Sequence, residues 1–497
     1  MDTKSSTLHE EEKMKATSDR IEHSAPVVVD EGLVDEVDEK DCNVFANTNG
    51  GPDFRGVSML AAAVLIAKSQ FALGVVGIPQ TFHVLGFLPG MIVLCGLCVL
   101  CTWTGVVVGK FRLNHPQVHS IGDATYLMFG KVGCEIMGFA FWLLYTLTYG
   151  AGLLTVSIAF NSMTEHATCT MAWVGVAAGL SLILGVATRT MKVLSWCGYV
   201  ALISLFFAVW IVVIACLAQK TPAAAPPGEP IHKDIRLLGK TSSYAAISGA
   251  IGTQVLSLCG TASFFTIHAE MRDQKKYVKS VLLGQGFVVI NYILVACIIY
   301  GKVGQYVASP SLGSAGPLIK KISYGISMPA LIFSCFFQAH VAAKYGLVRM
   351  LRGTSHLQSN TKTHWATWIG NMTLVIAVGL IVAGAIPFFN DLLGLIGSLL
   401  GTSFMLIFPG YMVLYDFAKV DATDKECTRP LLWFRKSIKQ WTASKTNLFL
   451  TCLAWFVIIL GYYITASGVY GTVTNIVQGY ANGDVGRPYP CEDNSNS

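Results

Sequence analysis

Long apolar stretches alternate with short polar segments along most of the chain. A stretch of about 20 apolar residues is long enough to cross a bilayer as a helix. Counted this way, the pattern predicts eleven membrane spans, with one exposed Pro- and Ala-rich loop after the fifth. The predicted spans are residues 57–82, 84–109, 133–160, 171–188, 192–218, 245–268, 278–301, 328–348, 365–386, 390–415 and 447–470.

The two ends of the chain are polar. Residues 1–52 are rich in Asp, Glu, Lys and Ser and predict a disordered cytosolic tail, 53–470 a transmembrane domain, and 471–497 an extracytosolic tail. Lys and Arg outside the spans concentrate in the loops on one side, which places the N-terminus in the cytosol and the C-terminus outside. On that topology Cys169 and Cys491 both face the exterior, where a disulfide could persist, and the sequence leaves this pairing open.

Composition supports the membrane interpretation. Of 497 residues, 53% are hydrophobic and 13% are charged, against about a quarter charged in soluble domains. The mean hydropathy is +0.55, so we expect an integral protein of the lipid bilayer. The formal net charge of +6 is spread over loops, which predicts no nucleic-acid partner. The sequence has no zinc-type spacing, phosphate loop or dinucleotide fingerprint, so it predicts no metal, no cofactor and no catalytic residues.

The first predicted span, VSMLAAAVLIAKSQFALGVVGIPQTF, is interrupted. Lys68 is its one charged residue. Gly74 and Gly77 each weaken a helix by about 1 kcal/mol relative to Ala, and Pro79 removes a backbone donor. Freed backbone groups are tolerated within a membrane where they are buried in protein or line a cavity. The span therefore predicts a binding site in mid-membrane, the alternative being a Pro-kinked structural helix whose Lys68 is neutralised by its neighbours.

The sixth predicted span, AAISGAIGTQVLSLCGTASFFTIH, is weakened by glycines and by the small, polar segment 257–263. Taken alone, this span equally fits tight packing of small residues between helices. However, the two interrupted spans occupy corresponding positions in two five-span halves, 57–218 and 245–415. Such a pair is the sequence pattern typical of a transporter site.

The sixth span also carries a family resemblance. After it come His268–Ala269–Glu270–Met271–Arg272–Asp273 and Lys276–Tyr277–Val278–Lys279–Ser280, and the first span contains KSQFALGVVGIP. These stretches resemble the amino acid/auxin permease family, most closely its fungal neutral amino acid permeases of the methyltryptophan-resistance type, from about Phe54 to Gly471. The resemblance implies an all-α membrane protein with eleven transmembrane helices. It further implies a LeuT-like 5+5 inverted repeat with broken helices 1 and 6, and proton-coupled amino acid uptake.

An amino acid zwitterion needs partners at both charged ends. Backbone N–H groups after the first break would bind its carboxylate, and carbonyl groups before both breaks would accept from its ammonium. On this view a side chain at Gly74 would occupy the space of the carboxylate and leave the fold intact. In the third span, Tyr145 and Tyr149 share one helix face. The resemblance implies a hydroxyl near the carboxylate, whereas packing is the alternative. The predicted substrate-binding residues are Phe71, Ala72, Gly74, Val75, Val76, Gly77, Tyr145, Tyr149, Ser257, Leu258, Cys259, Gly260, Thr261 and Phe264.

Three residues are predicted to serve coupling. In the related sodium-driven fold a cation site lies between helices 1 and 8, and the resemblance implies that the ammonium of Lys68 replaces the metal there. Lys68 would either lose and regain a proton during the cycle or remain a permanently charged brace. Gln338 and His340, in the eighth span, are candidates for the ion or proton path.

These inferences predict a proton-coupled symporter that imports neutral aliphatic and aromatic L-amino acids by alternating access. Neutral substrates are expected because the sixth-span segment carries no fixed charge. The expected location is the plasma membrane, with the vacuolar membrane as the alternative. A competing hypothesis is an amino acid sensor that signals through its acidic tail without significant flux.

Overall fold

The computed structural model describes residues 57–71, 73–116, 118, 120–188, 191–219, 221–225, 233–239, 243–351, 354, 356, 361–386, 389–418, 432–482, 489 and 491–495. The predicted cytosolic tail therefore lies outside the described residues. Within them, regular structure is helical apart from one isolated parallel bridge between Val57 and Met271.

The main helices are labelled in chain order. They are α1 (Met59–Gln70), α2 (Leu73–Leu85), α3 (Phe87–Asn114), α4 (Ile121–Thr164), α5 (Thr170–Ala187), α6 (Met191–Ala218), α7 (Tyr244–Leu258), α8 (Thr261–Ala269), α9 (Tyr277–Val303), α10 (Pro317–Leu351), α11 (Lys362–Ala385), α12 (Phe389–Asp416), α13 (Leu432–Trp441) and α14 (Lys445–Asn482). Helix α12 contains two π-helical segments, Gly397–Gly401 and Ser403–Ile407.

The length and apolar character of these helices suit a bilayer. Ten helical segments of the described residues are long and apolar enough to cross a membrane. The pair Met59–Gln70 and Gly74–Leu85, bent by 45°, passes the same test together and brings the number to as many as eleven. The prediction of an all-helical membrane protein is therefore confirmed, with about ten apolar helices.

Three helices extend well beyond their predicted spans. Helix α4 begins at Ile121, where Ser120 and Asp123 form a reciprocal capping box, and it turns at Gly130, whose φ of 70° favours glycine. Helix α10 begins early, at Pro317, and helix α14 continues to Asn482. Counting apolar residues missed these extensions because their additional turns contain polar and charged residues that end an apolar run.

The helices pack in two groups. In the first group, α1 packs on α9, α2 on α7, and α3 on α8 and α9. The second group consists of α4, α5, α10 and α11, each of which contacts the other three, and α6 packs along α10. Helices α12 and α14 lie against α7. The space between the two groups is bounded by α1 and α7 on one side and by α4 and α10 on the other.

The end of the chain is tied to the second group. Cys169, before α5, forms a disulfide with Cys491, which resolves the pairing that the sequence left open. Nearby, the backbone N–H of Tyr489 donates to Gly384 of α11 at 2.9 Å, and the side-chain amide of Asn494 donates to Ser157 of α4 at 3.1 Å. The described part of the tail thus joins α4, α5 and α11 at one end of the molecule.

Candidate functional site

The first span is interrupted between α1 and α2. Helix α1 ends at Gln70 and α2 begins at Leu73. The backbone N–H of Phe71 still donates to Ala67, so α1 unwinds only after its last turn. The ring of Phe71 is fully buried and stacks on Tyr292 of α9, with 6.2 Å between ring centroids. Ala72 lies outside the described residues.

The sixth span is interrupted between α7 and α8, which end at Leu258 and begin at Thr261. The last carbonyl groups of a helix have no partner within the helix. The hydroxyl of Tyr292 supplies one, because it donates both to the carbonyl of Gln70 at 2.8 Å and to the carbonyl of Ser257 at 2.9 Å. One side chain of α9 therefore holds the ends of α1 and α7 together.

A small cavity of about 40 Å³ lies where these ends meet the second helix group, and part of it is open to the surroundings. That volume holds a few water molecules and is below the roughly 300 Å³ of a formed small-molecule site, so an amino acid would fit only after the two helix groups move apart. Half of its lining residues carry a polar side chain that can form hydrogen bonds, and none of the described ones is charged. The lining residues are Ser69, Gln70, Gly74, Leu144, Tyr145, Thr148, Leu256, Ser257, Cys259, Phe337, Gln338 and Leu393.

The carboxamides in this cavity lack partners. Gln70 is 3% exposed, yet neither its Nε2 nor its Oε1 has a hydrogen-bond partner among the described residues. The same holds for Oε1 of Gln338. A buried polar atom without a partner costs about 1–3 kcal/mol. These atoms are therefore available to a polar molecule that enters the cavity.

Two glycines at the breaks are required by close packing. A Cβ on Gly260 would lie 2.8 Å from Nε2 of Gln70, so the amide of Gln70 rests against the break in the sixth span. A Cβ on Gly74 would lie 2.8 Å from Cα of Ser257 and would also strike the hydroxyl of Tyr292. A side chain at position 74 would disturb the packing of α2 on α7, which corrects the expectation that the fold would be unaffected.

Lys68 lies at the contact between α1 and α10. Its side chain is 7% exposed, its ammonium donates to Oγ of Ser334 at 2.6 Å, and it lies 5.3 Å from the centre of the Phe333 ring. No carboxylate of the described residues forms an ion pair with it. The ammonium thus bridges the two helix groups through a hydroxyl and an aromatic face.

The remaining predicted residues divide between the cavity and its surroundings. Tyr145, Ser257, Cys259 and Gln338 line the cavity together with Gly74. The others are not among its lining residues. Val75 and Val76 are buried, Gly77 approaches Leu393 and Asn390, and the ring of Tyr149 packs on Gly379. In the sixth span, the carbonyl of Leu258 accepts a hydrogen bond from Cys101, the hydroxyl of Thr261 donates to the carbonyl of Phe404, and the ring of Phe264 packs against Gly105. In the eighth span, the ring of His340 contacts the ring of Trp368.

The sequence interpretation missed several lining residues. Ser69 and Gln70 stand in the polar run Lys68–Ser69–Gln70 within an apolar span, and that run was the available signal. Thr148 lies between the two predicted tyrosines of α4. Tyr292, which holds the two helix ends together but does not line the cavity, carried no signal, because an aromatic residue in an apolar span is typical of packing.

At the other end of α1, the backbone of Val57 forms hydrogen bonds with the segment that follows α8. The backbone N–H of Val57 donates to Glu270 at 3.1 Å, and the N–H of Arg272 donates to Val57 at 3.0 Å. The Glu270 side chain is 7% exposed. Burial raises the pKa of this carboxyl above its ordinary value, and the ammonium of Lys344 on α10 opposes the rise. This contact therefore places an acidic group between the two helix groups.

Solved structures with a similar fold are membrane transporters. Mhp1, a nucleobase-cation-symport-1 family transporter in a closed conformation with bromovinylhydantoin bound, matches with a TM-score of 0.50 and 14% identity, over 91% of this chain and 98% of that one. A Na⁺-coupled sialic acid symporter in a substrate-bound outward-open state matches with a TM-score of 0.51 and 11% identity, over 85% and 91%. At such identities the likeness concerns the fold alone.

Sequence comparison gives the family. Residues 55–474 match the family described as transmembrane amino acid transporter protein, and the chain belongs to this amino acid/auxin permease family. A transmembrane transporter of Gibberella moniliformis is 33% identical over 452 residues, 91% of each chain. The N amino acid transport system protein of Neurospora crassa is 27% identical over 448 residues, 89% of this chain and 90% of the relative. The predicted family is confirmed, and the chain is an amino acid transporter rather than an enzyme.

Proposed function

We propose that this protein is a proton-coupled symporter that imports neutral aliphatic and aromatic L-amino acids by alternating access. The observation that carries the proposal is the polar, uncharged cavity at the ends of α1 and α7. A charged substrate side chain would lose its hydration there without a counter-ion among the described lining residues, which is costly. A neutral side chain avoids that cost.

The zwitterion itself would be bound by the backbone at the breaks. Helix α2 begins at Leu73, and its first N–H groups and positive dipole end suit the carboxylate. The carbonyl groups near the ends of α1 and α7 suit the ammonium. Tyr292 already bonds two of them, so the substrate would use their remaining lone pairs or the neighbouring carbonyls.

The proposed architecture is eleven transmembrane helices in a LeuT-like 5+5 inverted repeat, residues 57–218 and 245–415, followed by an eleventh helix. In this interpretation α1–α2 form broken helix 1 and α7–α8 form broken helix 6. The two helix groups on either side of the cavity would rock against each other to open it to one side and then to the other. The similar fold of Mhp1 supports this arrangement.

Coupling would act at the contact of Lys68 with Ser334. A protonated ammonium donates a strong, charge-assisted hydrogen bond across the two groups. Loss of the proton would weaken that bond and release α1 from α10. Because a positive charge fills the contact, we propose that sodium is not required. Gln338 and His340 remain proposed members of the proton path.

The test is uptake of labelled amino acids into proteoliposomes, with pH and sodium gradients imposed separately. We expect accumulation of neutral amino acids on an inward proton gradient, independent of sodium. Competition by lysine or glutamate as effective as that by leucine or phenylalanine would refute neutral selectivity. Saturable binding without uptake would favour the sensor. Imaging of the tagged protein in cells would distinguish the proposed plasma membrane from the vacuolar membrane.

A further inference from the structure

We infer that Gln70 and Gln338 select among neutral amino acids by hydrogen-bonding a polar group on the substrate side chain, with a carboxamide fitting best. This inference rests on the proposed amino acid site and ranks its substrates. Its basis is that three carboxamide atoms, Nε2 and Oε1 of Gln70 and Oε1 of Gln338, are buried at the cavity without partners among the described residues.

The position of Gln70 is fixed by its surroundings. Its backbone carbonyl accepts from Tyr292, and its side chain rests against Gly260, where a Cβ would come within 2.8 Å of both Cγ and Nε2. The amide is therefore held at the meeting point of the two breaks and is not a mobile surface group. Such pre-positioning lowers the entropic cost of binding a matching group.

The second carboxamide comes from the other helix group. Gln338 lies on α10, whereas Gln70 is the last residue of α1, and both line the same cavity. A substrate side chain between them would touch both groups at once. Selection by these two residues is therefore linked to the closed arrangement of α1 against α10.

The chemistry of a carboxamide determines the expected ranking. A carboxamide offers donors and an acceptor in one plane, so the side chain of glutamine or asparagine can donate to an Oε1 and accept from Nε2. A hydroxyl offers a weaker version of the same pairing. A hydrocarbon side chain leaves the buried atoms unpaired, so the aliphatic and aromatic substrates proposed above would still bind, but more weakly than glutamine or asparagine.

The test measures equilibrium binding to the purified full-length protein, so that its outcome does not depend on flux. Labelled L-glutamine is bound and competed with asparagine, serine, methionine and norleucine. For wild type we expect glutamine to bind at least about tenfold more tightly than norleucine, which has nearly the same shape. A tenfold difference in affinity is about what one hydrogen bond to a buried group would contribute. In Gln70→Leu we expect glutamine to lose about tenfold or more while norleucine binding is kept, and Gln70→Asn should restore part of the difference.

The matched control is Gln285→Leu. Gln285 is also buried and also carries an unpartnered Oε1 within the described residues, but its Nε2 donates to Cys101 and it does not line the cavity. This variant should leave the ratio of glutamine to norleucine unchanged. Gln338→Leu is a second variant that tests the opposite wall should Gln70→Leu fail to fold.

Equal affinity of wild type for glutamine and norleucine would overturn the inference. A Gln70→Leu variant that weakens both ligands equally would overturn it too, because that result indicates a structural role. Binding with the expected ranking but without uptake in liposomes would instead refute transport and leave the selectivity standing.

Discussion

The hydroxyl of Tyr292 provides a sharp test of how the two breaks are held. Tyr292→Phe removes one oxygen and leaves the ring in place, so its stacking on Phe71 persists. What is lost is the donor to the carbonyl groups of Gln70 and Ser257, at 2.8 and 2.9 Å. Both carbonyl oxygens lie in the last turn of a helix, where no backbone N–H group of the same helix donates to them.

The cost follows from this geometry. A single proton is shared between two acceptors, so the loss is less than that of two separate bonds. Leaving buried carbonyl oxygens unsatisfied costs about 1–3 kcal/mol. The matched control is Tyr300→Phe on the same helix. Tyr300 lies near the C-terminal end of α9 and is also fully buried. Its hydroxyl accepts one hydrogen bond, a longer one of 3.2 Å, from the backbone N–H of Arg236. Its loss should cost less, about 0.5–1 kcal/mol.

The assay combines thermal unfolding in detergent with uptake into liposomes. We expect Tyr292→Phe to lower the unfolding temperature more than Tyr300→Phe does, and to reduce uptake because the ends of α1 and α7 separate. Equal unfolding temperatures together with wild-type uptake in both variants would refute the role assigned to Tyr292. The ring would then serve packing alone.

Three further predictions concern other contacts of the same structure. Lys68→Met should abolish accumulation driven by a pH gradient, because it removes the ammonium at Ser334, while exchange of substrate across the membrane persists; normal accumulation in this variant would contradict the coupling proposal. For Glu270 the folded state holds its proton more tightly than the unfolded state, so the contribution of this carboxyl to stability is greatest at low pH and is lost as pH rises from about 4.3 through the raised folded pKa. Glu270→Gln should remove that fall in a series of unfolding temperatures against pH, and an unchanged pH profile would show that another group is responsible. Cys169→Ser and Cys491→Ser should lower the unfolding temperature by equal amounts, because each breaks the same disulfide, and the double variant should lower it no further. Reductant should lower the unfolding temperature of the wild type and leave that of the variants unchanged. Unequal effects of the two single variants would show that one thiol acts independently.

The apolar pattern was sufficient to predict a helical membrane protein, because burial in lipid imposes long runs of apolar residues. Glycine and small polar residues are costly in a membrane helix without a local reason, so the pattern also predicted interruptions in the first and sixth spans, and helices end at Gln70 and Leu258 within those spans. Helix α13 was missed. It lies outside the predicted spans, and the indole N–H of its Trp433 donates to the carbonyl of Met128 at 2.7 Å, a contact between distant parts of the chain that no local pattern encodes.

The candidate site was harder to predict from the sequence because it also depends on contacts between distant parts of the chain. Which face of a helix borders a cavity is determined by the other helices that pack against it. Tyr145 and Tyr149 were equivalent in the sequence, yet Tyr145 lines the cavity and Tyr149 packs against Gly379 of α11. Gln70 was overlooked beside the more conspicuous Lys68, although its buried, unpartnered amide marks it as the better candidate for substrate contact.

Coupling and selection meet on the same pair of helices. Lys68 and Gln70 are two residues apart on α1 and so point in roughly opposite directions, one to Ser334 and the other into the cavity. On α10, Ser334 and Gln338 are four apart and share a face, about one turn from each other. A shift of α1 that breaks the ammonium contact must therefore change the spacing of the two carboxamides. If protonation of Lys68 and substrate binding favour the same arrangement, each must strengthen the other by the same factor. Glutamine affinity should then vary with pH in wild type and become independent of pH, over the same range, in Lys68→Met; a pH dependence that survives the substitution would separate the two functions.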